Sequence, residues 1–246
     1  MTENATNPDA NASPNASEAP AVVELRGVDK VYEDGVAVQV LYDIDLTIRR
    51  GEFVAVVGQS GSGKSTLLNL IGLLDTATRG QVLLDGRDVS ELDEDARSSL
   101  RLDYLGFIFQ QHYLLPEFDV VANALMPLRI RGRDAERAAR DRVVAMLESV
   151  GLGDHLHKRP NQLSGGQQQR VAVVRALANE PKLVLADEPT GSLDSETSEQ
   201  VLGLLRDINA RTGTALMMVT HDLAQAERAE RIVELRDGRV LRDELT

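Results

Sequence analysis

The 246-residue sequence contains no cysteine. Disulfide bridges, thiolate zinc sites and catalysis by a thiol are therefore excluded, and the composition fits a reducing compartment. No apolar segment approaches the roughly 18 residues that a helix needs to cross a bilayer, and no basic segment followed by an apolar one opens the chain. We therefore expect a soluble, cytoplasmic protein that contacts a membrane only through a protein partner.

Basic residues are outnumbered by acidic ones: 27 Lys and Arg against 39 Asp and Glu give a formal net charge of −12. The Lys and Arg residues also do not cluster in a run. Such a chain lacks the basic surface that binds nucleic acid or anionic lipid, so we expect no nucleic-acid partner. Hydrophobic residues make up 42% of the chain, which is enough to bury one core. Residues 1–20 are mostly Asn, Ala, Ser, Pro and acids, which predicts a disordered tail before a domain over residues 21–246.

Short apolar runs indicate the fold class. Alternating residues near the start predict an antiparallel sheet with strands at Val22–Leu25, Val36–Leu41 and Ile44–Ile48. Three later runs alternate with helical stretches, which favours a parallel sheet covered by helices, and they lie at Leu183–Ala186, Ala215–Val219 and Ile232–Leu235. Between these groups, apolar residues recur at helical spacing from Val120 to about Gly151. We therefore expect an inserted helical subdomain at about residues 98–165.

A glycine-rich segment joins the apolar run Phe53–Val57 to an amphipathic helix that starts at Thr66. It has the GxxxxGK[ST] spacing of a phosphate-binding P-loop, in which backbone N–H groups at a helix N-terminus surround an anion. The residues predicted here to bind a nucleoside triphosphate are Gly58, Gln59, Ser60, Gly61, Ser62, Gly63, Lys64, Ser65 and Thr66. The P-loop alone is compatible with kinases, GTPases, ATPases and motor domains. Lys64 is expected to reach the β- and γ-phosphates and Ser65 to bind Mg²⁺. The fold class is then α/β, a P-loop NTPase core with a mostly parallel sheet, an antiparallel β subdomain and the helical insert.

Two carboxylates follow the apolar run Leu183–Ala186, in the form of a Walker B element. Asp187 is suited to holding Mg²⁺, and Glu188 to orienting or deprotonating the attacking water. A second glycine-rich helix start, Leu-Ser-Gly-Gly-Gln at residues 163–167, precedes another amphipathic helix. At these residues the sequence closely resembles the ATP-binding subunits of ABC transporters, whose signature motif is LSGGQ.

This resemblance extends from about Val22 to the C-terminus and implies roles for further residues. Tyr32 matches the aromatic residue that stacks on adenine, and Gln110 matches the Q-loop glutamine, which faces Mg²⁺ and the lytic water. His221 matches the switch histidine that contacts the γ-phosphate, and Asp194 lies in the D-loop. In this family the P-loop of one subunit faces the signature motif of another. The resemblance therefore implies a homodimer with composite ATP sites, in which Ser164, Gly165, Gly166 and Gln167 contact the partner's nucleotide.

The resemblance also implies integral-membrane permease partners and a position on the cytoplasmic face of the inner membrane. Two segments, Phe109–Phe118 and Asn123–Leu128, look like those of ATPases that serve lipoprotein-releasing and macrolide-exporting permeases. Lipoprotein release is the preferred interpretation. Macrolide efflux, and a regulatory ATPase of the cell-division type that drives no transport, remain open alternatives. An ABC protein of DNA repair or translation is disfavoured, because the chain has one nucleotide domain, no heptad insert and no basic surface.

Overall fold

The computed structural model describes residues 19–33 and 35–246. Residues 1–18 of the expected tail, and Asp34, lie outside the described residues. Ala19 and Pro20 differ from the expectation, because their carbonyls accept hydrogen bonds from the Arg49 side chain (2.9 Å) and the Arg50 N–H (3.0 Å). These two residues therefore belong to the folded domain rather than to a tail.

Within the described ranges the chain forms ten strands and eight α-helices, with short 3₁₀ turns at Gly153–His155 and Pro160–Gln162. In chain order they are β1 (Ala21–Tyr32), β2 (Val38–Arg49), β3 (Phe53–Val57), α1 (Lys64–Ile71), β4 (Arg79–Leu84), β5 (Arg87–Asp88), α2 (Glu94–Tyr104), β6 (Leu105–Phe109), α3 (Val120–Ala124), α4 (Met126–Arg131), α5 (Arg133–Ser149), α6 (Gly165–Leu177), β7 (Leu183–Asp187), α7 (Ser195–Thr212), β8 (Ala215–Thr220), α8 (Leu223–Ala226), β9 (Arg231–Arg236) and β10 (Arg239–Leu245).

A six-stranded sheet in the order β10-β9-β3-β8-β7-β6 forms the centre of the domain. All strands from β9 to β6 are parallel, and β10 pairs antiparallel with β9. Alternate residues of β3 enter two different cores, since Val54 and Val56 pack with α1 while Phe53, Ala55 and Val57 pack with α6 and α7. Burial on both faces is why these strands read as continuous apolar runs, and the predicted parallel sheet is confirmed.

The antiparallel sheet has the order β2-β1-β4-β5. The two runs predicted at Val36–Leu41 and Ile44–Ile48 are one strand, β2, and β1 continues well beyond Leu25. The two strands stay paired across the breaks in alternation because each contains a β-bulge, with positive φ at Gly27 in β1 and at Asp43 in β2. The Asp43 N–H donates a hydrogen bond to the Asp29 carboxylate at 2.8 Å. Reading the interruptions as strand ends was therefore wrong.

The helices α3, α4 and α5 share a third core with one face of α6, in which Val143 and Leu147 are fully buried. The range of about 98–165 expected for the helical subdomain also contains β6, which pairs with β7 in the central sheet. That strand therefore separates α2 from the helices that follow it. Within the described ranges, every helix is too short or too polar to cross a lipid bilayer.

Candidate active site

The predicted catalytic residues gather at one edge of the central sheet. Parallel register pairs Val57 with Thr220, Val219 with Asp187, and Asp187 with Phe109. The residues directly after these positions are at the carboxyl ends of the strands, and they are Gly58, His221, Glu188 and Gln110. In open parallel sheets this edge is where ligands bind.

The P-loop between β3 and α1 is shaped by two neighbouring strands. A Cβ on Gly58 would lie 2.2 Å from the Leu235 carbonyl oxygen, and a Cβ on Gly63 would lie 2.7 Å from Leu41 Cδ2. Gly63 also has φ of 102°, in the left-handed region that favours glycine. The spacing of these glycines therefore follows from close backbone contact with β9 and β2.

The loop ends at a helix N-terminus that no side chain caps. Helix α1 starts after Gly63 without a side-chain cap hydrogen bond and without an acidic residue in its first turn. Its first N–H groups have no partner within the helix and attract an anion. The Lys64 ammonium donates to the carbonyls of Gly58 (2.8 Å) and Gln59 (2.9 Å), which holds a positive charge across the loop.

The individual P-loop side chains differ in exposure. Gln59, Ser60, Gly61 and Ser65 are exposed, whereas Ser62 is buried and its carbonyl accepts the Gly238 N–H at 3.1 Å. This hydrogen bond fixes the buried side of the P-loop to the turn that contains Gly238.

The acidic pair at the end of β7 occupies two environments. Burial raises the pKa of the Asp187 carboxyl, the charge of Glu188 raises it further, and Lys64 opposes both effects. Glu188 has φ of 45°, and this turn of the backbone directs its carboxylate to the N–H (3.1 Å) and the Nδ1 (2.7 Å) of His221. The hydrogen bond to Glu188 and the charge of that carboxylate raise the pKa of His221.

Gln110 lies against the segment that follows Glu188. A Cβ on Gly191 would approach the Gln110 Nε2 to 2.8 Å, and the Ser192 hydroxyl donates to the Gln110 carbonyl at 3.3 Å. Gly191 therefore leaves the space that the Gln110 side chain fills. This contact is a physical reason for glycine at residue 191.

The signature motif forms the capped start of α6. The Ser164 hydroxyl accepts the Gln167 N–H (3.3 Å), and the Gln167 side chain accepts the Ser164 N–H (2.9 Å). Gly166 packs on Thr197, because a Cβ there would lie 2.3 Å from Thr197 Cγ2. Asp194 caps α7 through the Thr197 N–H at 2.9 Å. In the part of the chain that the structure describes, no hydrogen bond joins residues 164–167 to residues 58–66.

Tyr32 ends β1 with a partly exposed ring. Its hydroxyl donates to Asp75 (2.9 Å), and the Lys30 ammonium binds the other oxygen of the same carboxylate (2.6 Å). The same ammonium lies 4.7 Å from the centre of the Tyr32 ring. Lys30 and Asp75 thus fix the ring in place, and the residue as a whole is 38% exposed.

Residues 41–191, more than half of the chain, match the family described as ABC transporter. The chain belongs to the ABC transporter family. It is an ATPase of this family.

The chain is similar to two named proteins and one solved structure of this family. The lipoprotein-releasing system ATP-binding protein LolD of Anaeromyxobacter dehalogenans (strain 2CP-C) is 52% identical over 92% of this chain and 95% of that protein. The macrolide export ATP-binding/permease protein MacB 1/2 of Paracoccus denitrificans (strain Pd 1222) is 49% identical over 92% of this chain and 34% of that protein. A dimeric post-hydrolysis structure of the ATP-binding cassette MJ0796 bound to ADP and Pi has a TM-score of 0.80 and 42% identity, covering 91% of this chain and 98% of that one.

The structure therefore separates the predicted ABC site residues into groups. Lys64, Gln110, Asp187, Glu188 and His221 share one edge of the sheet. The signature residues and Asp194 meet at the starts of α6 and α7, and Tyr32 lies at the end of β1.

Sequence reasoning missed three supporting residues, Lys30, Asp75 and Arg175. The Arg175 guanidinium holds two carbonyls of the loop after Gln110. Lys30 is only 7% exposed in the structure, but no local sequence pattern marks any of the three residues.

Proposed function

We propose that this chain is the ATP-hydrolysing subunit of a lipoprotein-releasing ABC transporter. It works as a homodimer bound to integral-membrane permease subunits at the cytoplasmic face of the inner membrane. The observation that carries the proposal is the 52% identity to LolD over 95% of that protein. Macrolide efflux is the second candidate, because 49% identity to MacB extends over 92% of this chain.

The P-loop binds the triphosphate of ATP through its backbone N–H groups and Lys64, and the ring of Tyr32 stacks on adenine. Glu188 accepts a proton from the attacking water, while Gln110 orients that water. His221, hydrogen-bonded to Glu188 at 2.7 Å, approaches the γ-phosphate. A positioned base of this kind typically contributes about 10²–10⁴-fold to the rate.

The oxygen atoms near the end of β7 suit Mg²⁺. Ser65, Asp187 and Gln110 offer a hydroxyl, a carboxylate and an amide oxygen, which are the hard ligands that this ion prefers. The described residues contain no group of three or more His, Cys, Asp or Glu side chains that could hold a metal. Because Mg²⁺ prefers an octahedral set of oxygen ligands, phosphate and water oxygens would complete the set, and the bound ion would neutralise charge on the phosphates.

The signature residues complete the site of a second subunit. Ser164 and the N–H groups of Gly165 and Gly166 lie at the start of α6, away from the P-loop hydrogen bonds of the same chain. The MJ0796 cassette, of similar fold, is dimeric in its structure. In a head-to-tail dimer these groups reach the γ-phosphate bound by the partner.

An apolar cleft of about 940 Å³ between α2, β6 and α4 offers a docking surface for the permease. Phe107, Phe109 and Met126 line it, and Tyr113 and Ile130 at its edge are 63% and 69% exposed. Exposed apolar patches of this kind mark interaction sites. Leu115 is 39% exposed, whereas Phe118 lies under the Arg129 guanidinium and Leu114 packs in the helical core.

The proposal is tested by co-expressing the chain with the lipoprotein-releasing permease subunits of its own organism and reconstituting the complex in proteoliposomes. We expect ATP-dependent release of a membrane-anchored lipoprotein to a soluble acceptor. Export of a macrolide without lipoprotein release would favour the second candidate. Ile130→Asp and Leu115→Asp should reduce co-purification with the permease, whereas Leu241→Asp, an exposed leucine on β10, should not.

A further inference from the structure

Arg175 is a cation with an unusual environment. It lies on α6, mostly buried, and its guanidinium donates to the carbonyls of His112 and Tyr113, both at 2.7 Å. In the part of the chain that the structure describes, it forms no ion pair with a carboxylate, and burial lowers its pKa. A buried charge without a counter-ion is costly. What arginine adds here is a rigid planar fork that holds two successive peptide carbonyls at once.

These two carbonyls belong to the loop that connects Gln110 to α3. The start of the loop rests on Gly191 and Ser192. Its end is held by the buried Asn123, whose side chain bonds to the backbone of Leu115, Phe118 and Asp119. Arg175 holds the middle, where Tyr113 has φ of 46°, an uncommon conformation for a bulky residue. Among the hydrogen bonds of the described residues, the two from Arg175 fix the middle of the loop to α6, and Leu114 packs beside the same helix.

Helix α6 begins with the signature motif, so this attachment links the loop to the signature residues. The side chains of Tyr113 and Arg175 also line the apolar cleft. A segment seated in the cleft therefore contacts both partners of the hydrogen bonds. Helix α6 is continuous from Gly165 to Leu177, so a displacement of the loop at Arg175 would also displace the first turn of the helix.

We propose that Arg175 is the positioning residue that couples occupation of the cleft by an apolar permease segment to the placement of Gln110 and of the signature helix. The proposal rests on the proposed function, in which the chain hydrolyses ATP while docked to a permease. The hydrogen bonds of Arg175 go to the loop carbonyls and not to the P-loop, Glu188 or His221, so its role is one of positioning.

The first experiment compares Arg175→Met, Arg175→Lys and a control, Arg142→Met, in complexes with the permease in lipid nanodiscs. Arg142 donates to the Ala178 carbonyl (2.7 Å) at the same C-terminal end of α6 as Arg175, but its hydrogen bonds do not go to the loop. We expect Arg175→Met to keep ATP affinity within about twofold and to co-purify with the permease. The factor by which the permease increases the ATP hydrolysis rate of this variant should be about tenfold smaller than in the wild type, which is the scale of one lost charge-assisted hydrogen bond. Arg175→Lys should be intermediate, and Arg142→Met should be stimulated normally.

The second experiment measures the attachment itself in the isolated full chain, whose lack of cysteine permits specific labelling. Spin labels at Gln111→Cys and Asn161→Cys, both exposed, report the distance between the loop and the segment before the signature motif. We expect a narrow distance distribution that Arg175→Met broadens and that Arg142→Met leaves narrow.

Normal stimulation of Arg175→Met together with an unchanged distance distribution would overturn the proposal. If Arg175→Met fails to fold, Arg175→Lys decides by the same two measurements. Failure of the wild-type chain to bind the permease or to be stimulated by it would instead refute the proposed function. In that case the label distances still decide whether Arg175 holds the loop on α6.

Discussion

At the scale of single residues, the site depends on a backbone conformation that glutamate rarely adopts. Glu188 has φ of 45°, and two hydrogen bonds hold it there, from its own N–H to Val219 (2.9 Å) and from the Gly191 N–H to its carbonyl (3.0 Å). Local strain of this kind costs of order 1–3 kcal/mol and persists only where surrounding structure enforces it. Here the positive φ of Glu188 turns its carboxylate out of the line of β7 and toward His221.

Glu188→Gln should abolish turnover without abolishing ATP binding. The amide keeps the shape of the side chain but accepts no proton, so hydrolysis should fall at least ~10²-fold. Lys64 and the P-loop are unchanged, so nucleotide titration of the purified variant should give near wild-type affinity. Near-normal hydrolysis by the variant in complex with its permease would contradict the assignment.

The same substitution should lower the pKa of His221. The bond to Glu188 raises this pKa above the ordinary value of about 6.5, so removing the negative charge should return it toward that value. In the wild type the pair stabilises the fold fully below the pKa of the unfolded chain, and this contribution is lost as pH rises through the higher folded pKa. An NMR titration of the His221 ring checks the shift, and equal values in both proteins would contradict the pairing.

Gly191→Ser should reduce hydrolysis while leaving stability unchanged. The added Cβ collides with the Gln110 amide, which is the flexible end of a side chain, so the fold adjusts and the glutamine moves. We expect a fall in turnover of about tenfold or more, the scale of a misplaced orienting group. Gly203→Ser on α7 is the matched control, because a Cβ there meets nothing within 4 Å. Similar rates for both variants would exclude this role of Gly191.

At the scale of helices and strands, the sequence predicted those parts whose pattern reflects burial. Strands β3, β7 and β8 were recognisable because both faces are covered, and the P-loop because its glycines are set by close contacts. The continuity of β1 and β2 was not predictable, since the bulges at Gly27 and Asp43 resemble strand ends in an alternating pattern. The contacts of Arg175 with the loop and of Lys30 with Asp75 join residues distant in sequence, and no local pattern encodes them.

The hairpin of β9 and β10 should depend on one arginine. Arg231 binds Glu52 (2.8 Å) and both oxygens of Asp243, and Glu52 is only 8% exposed. Arg231→Met leaves that buried carboxylate unpaired, which should lower the free energy of unfolding by about 3 kcal/mol. Arg242→Met removes an exposed pair with Glu234 at 3.8 Å and should cost no more than about 1 kcal/mol. Urea unfolding followed by circular dichroism measures both, and equal losses would disprove the role of Arg231.

At the scale of the whole molecule, one chain holds the P-loop and the signature motif, the two halves of the proposed composite site, on different elements. The P-loop is set against β2 and β9, whereas the signature motif is set against α7. This separation explains why a subunit is expected to bind ATP alone and to hydrolyse it only when paired.

Lys64→Ala and Ser164→Arg should therefore fail in different ways. Lys64→Ala should weaken ATP binding by the monomer, measured by nucleotide titration. Ser164→Arg should leave that affinity within about twofold but prevent the ATP-dependent dimer, measured by sedimentation in the Glu188→Gln background. The loss of a helix cap costs about 1 kcal/mol, which the folded subunit should tolerate. Asn161→Arg controls for the added charge, and equal loss of monomer affinity in both variants would argue against a composite site.

The contact between Gly58 and the Leu235 carbonyl has a consequence for synthesis. The P-loop is translated early, but the Leu235 carbonyl that packs against Gly58 belongs to β9, near the far end of the chain. A nascent chain on the ribosome can therefore form the antiparallel sheet and α1 before the phosphate site acquires its final geometry. Tight nucleotide binding should begin only after the last parallel strand has left the exit tunnel, so ATP cannot act as an early template for folding.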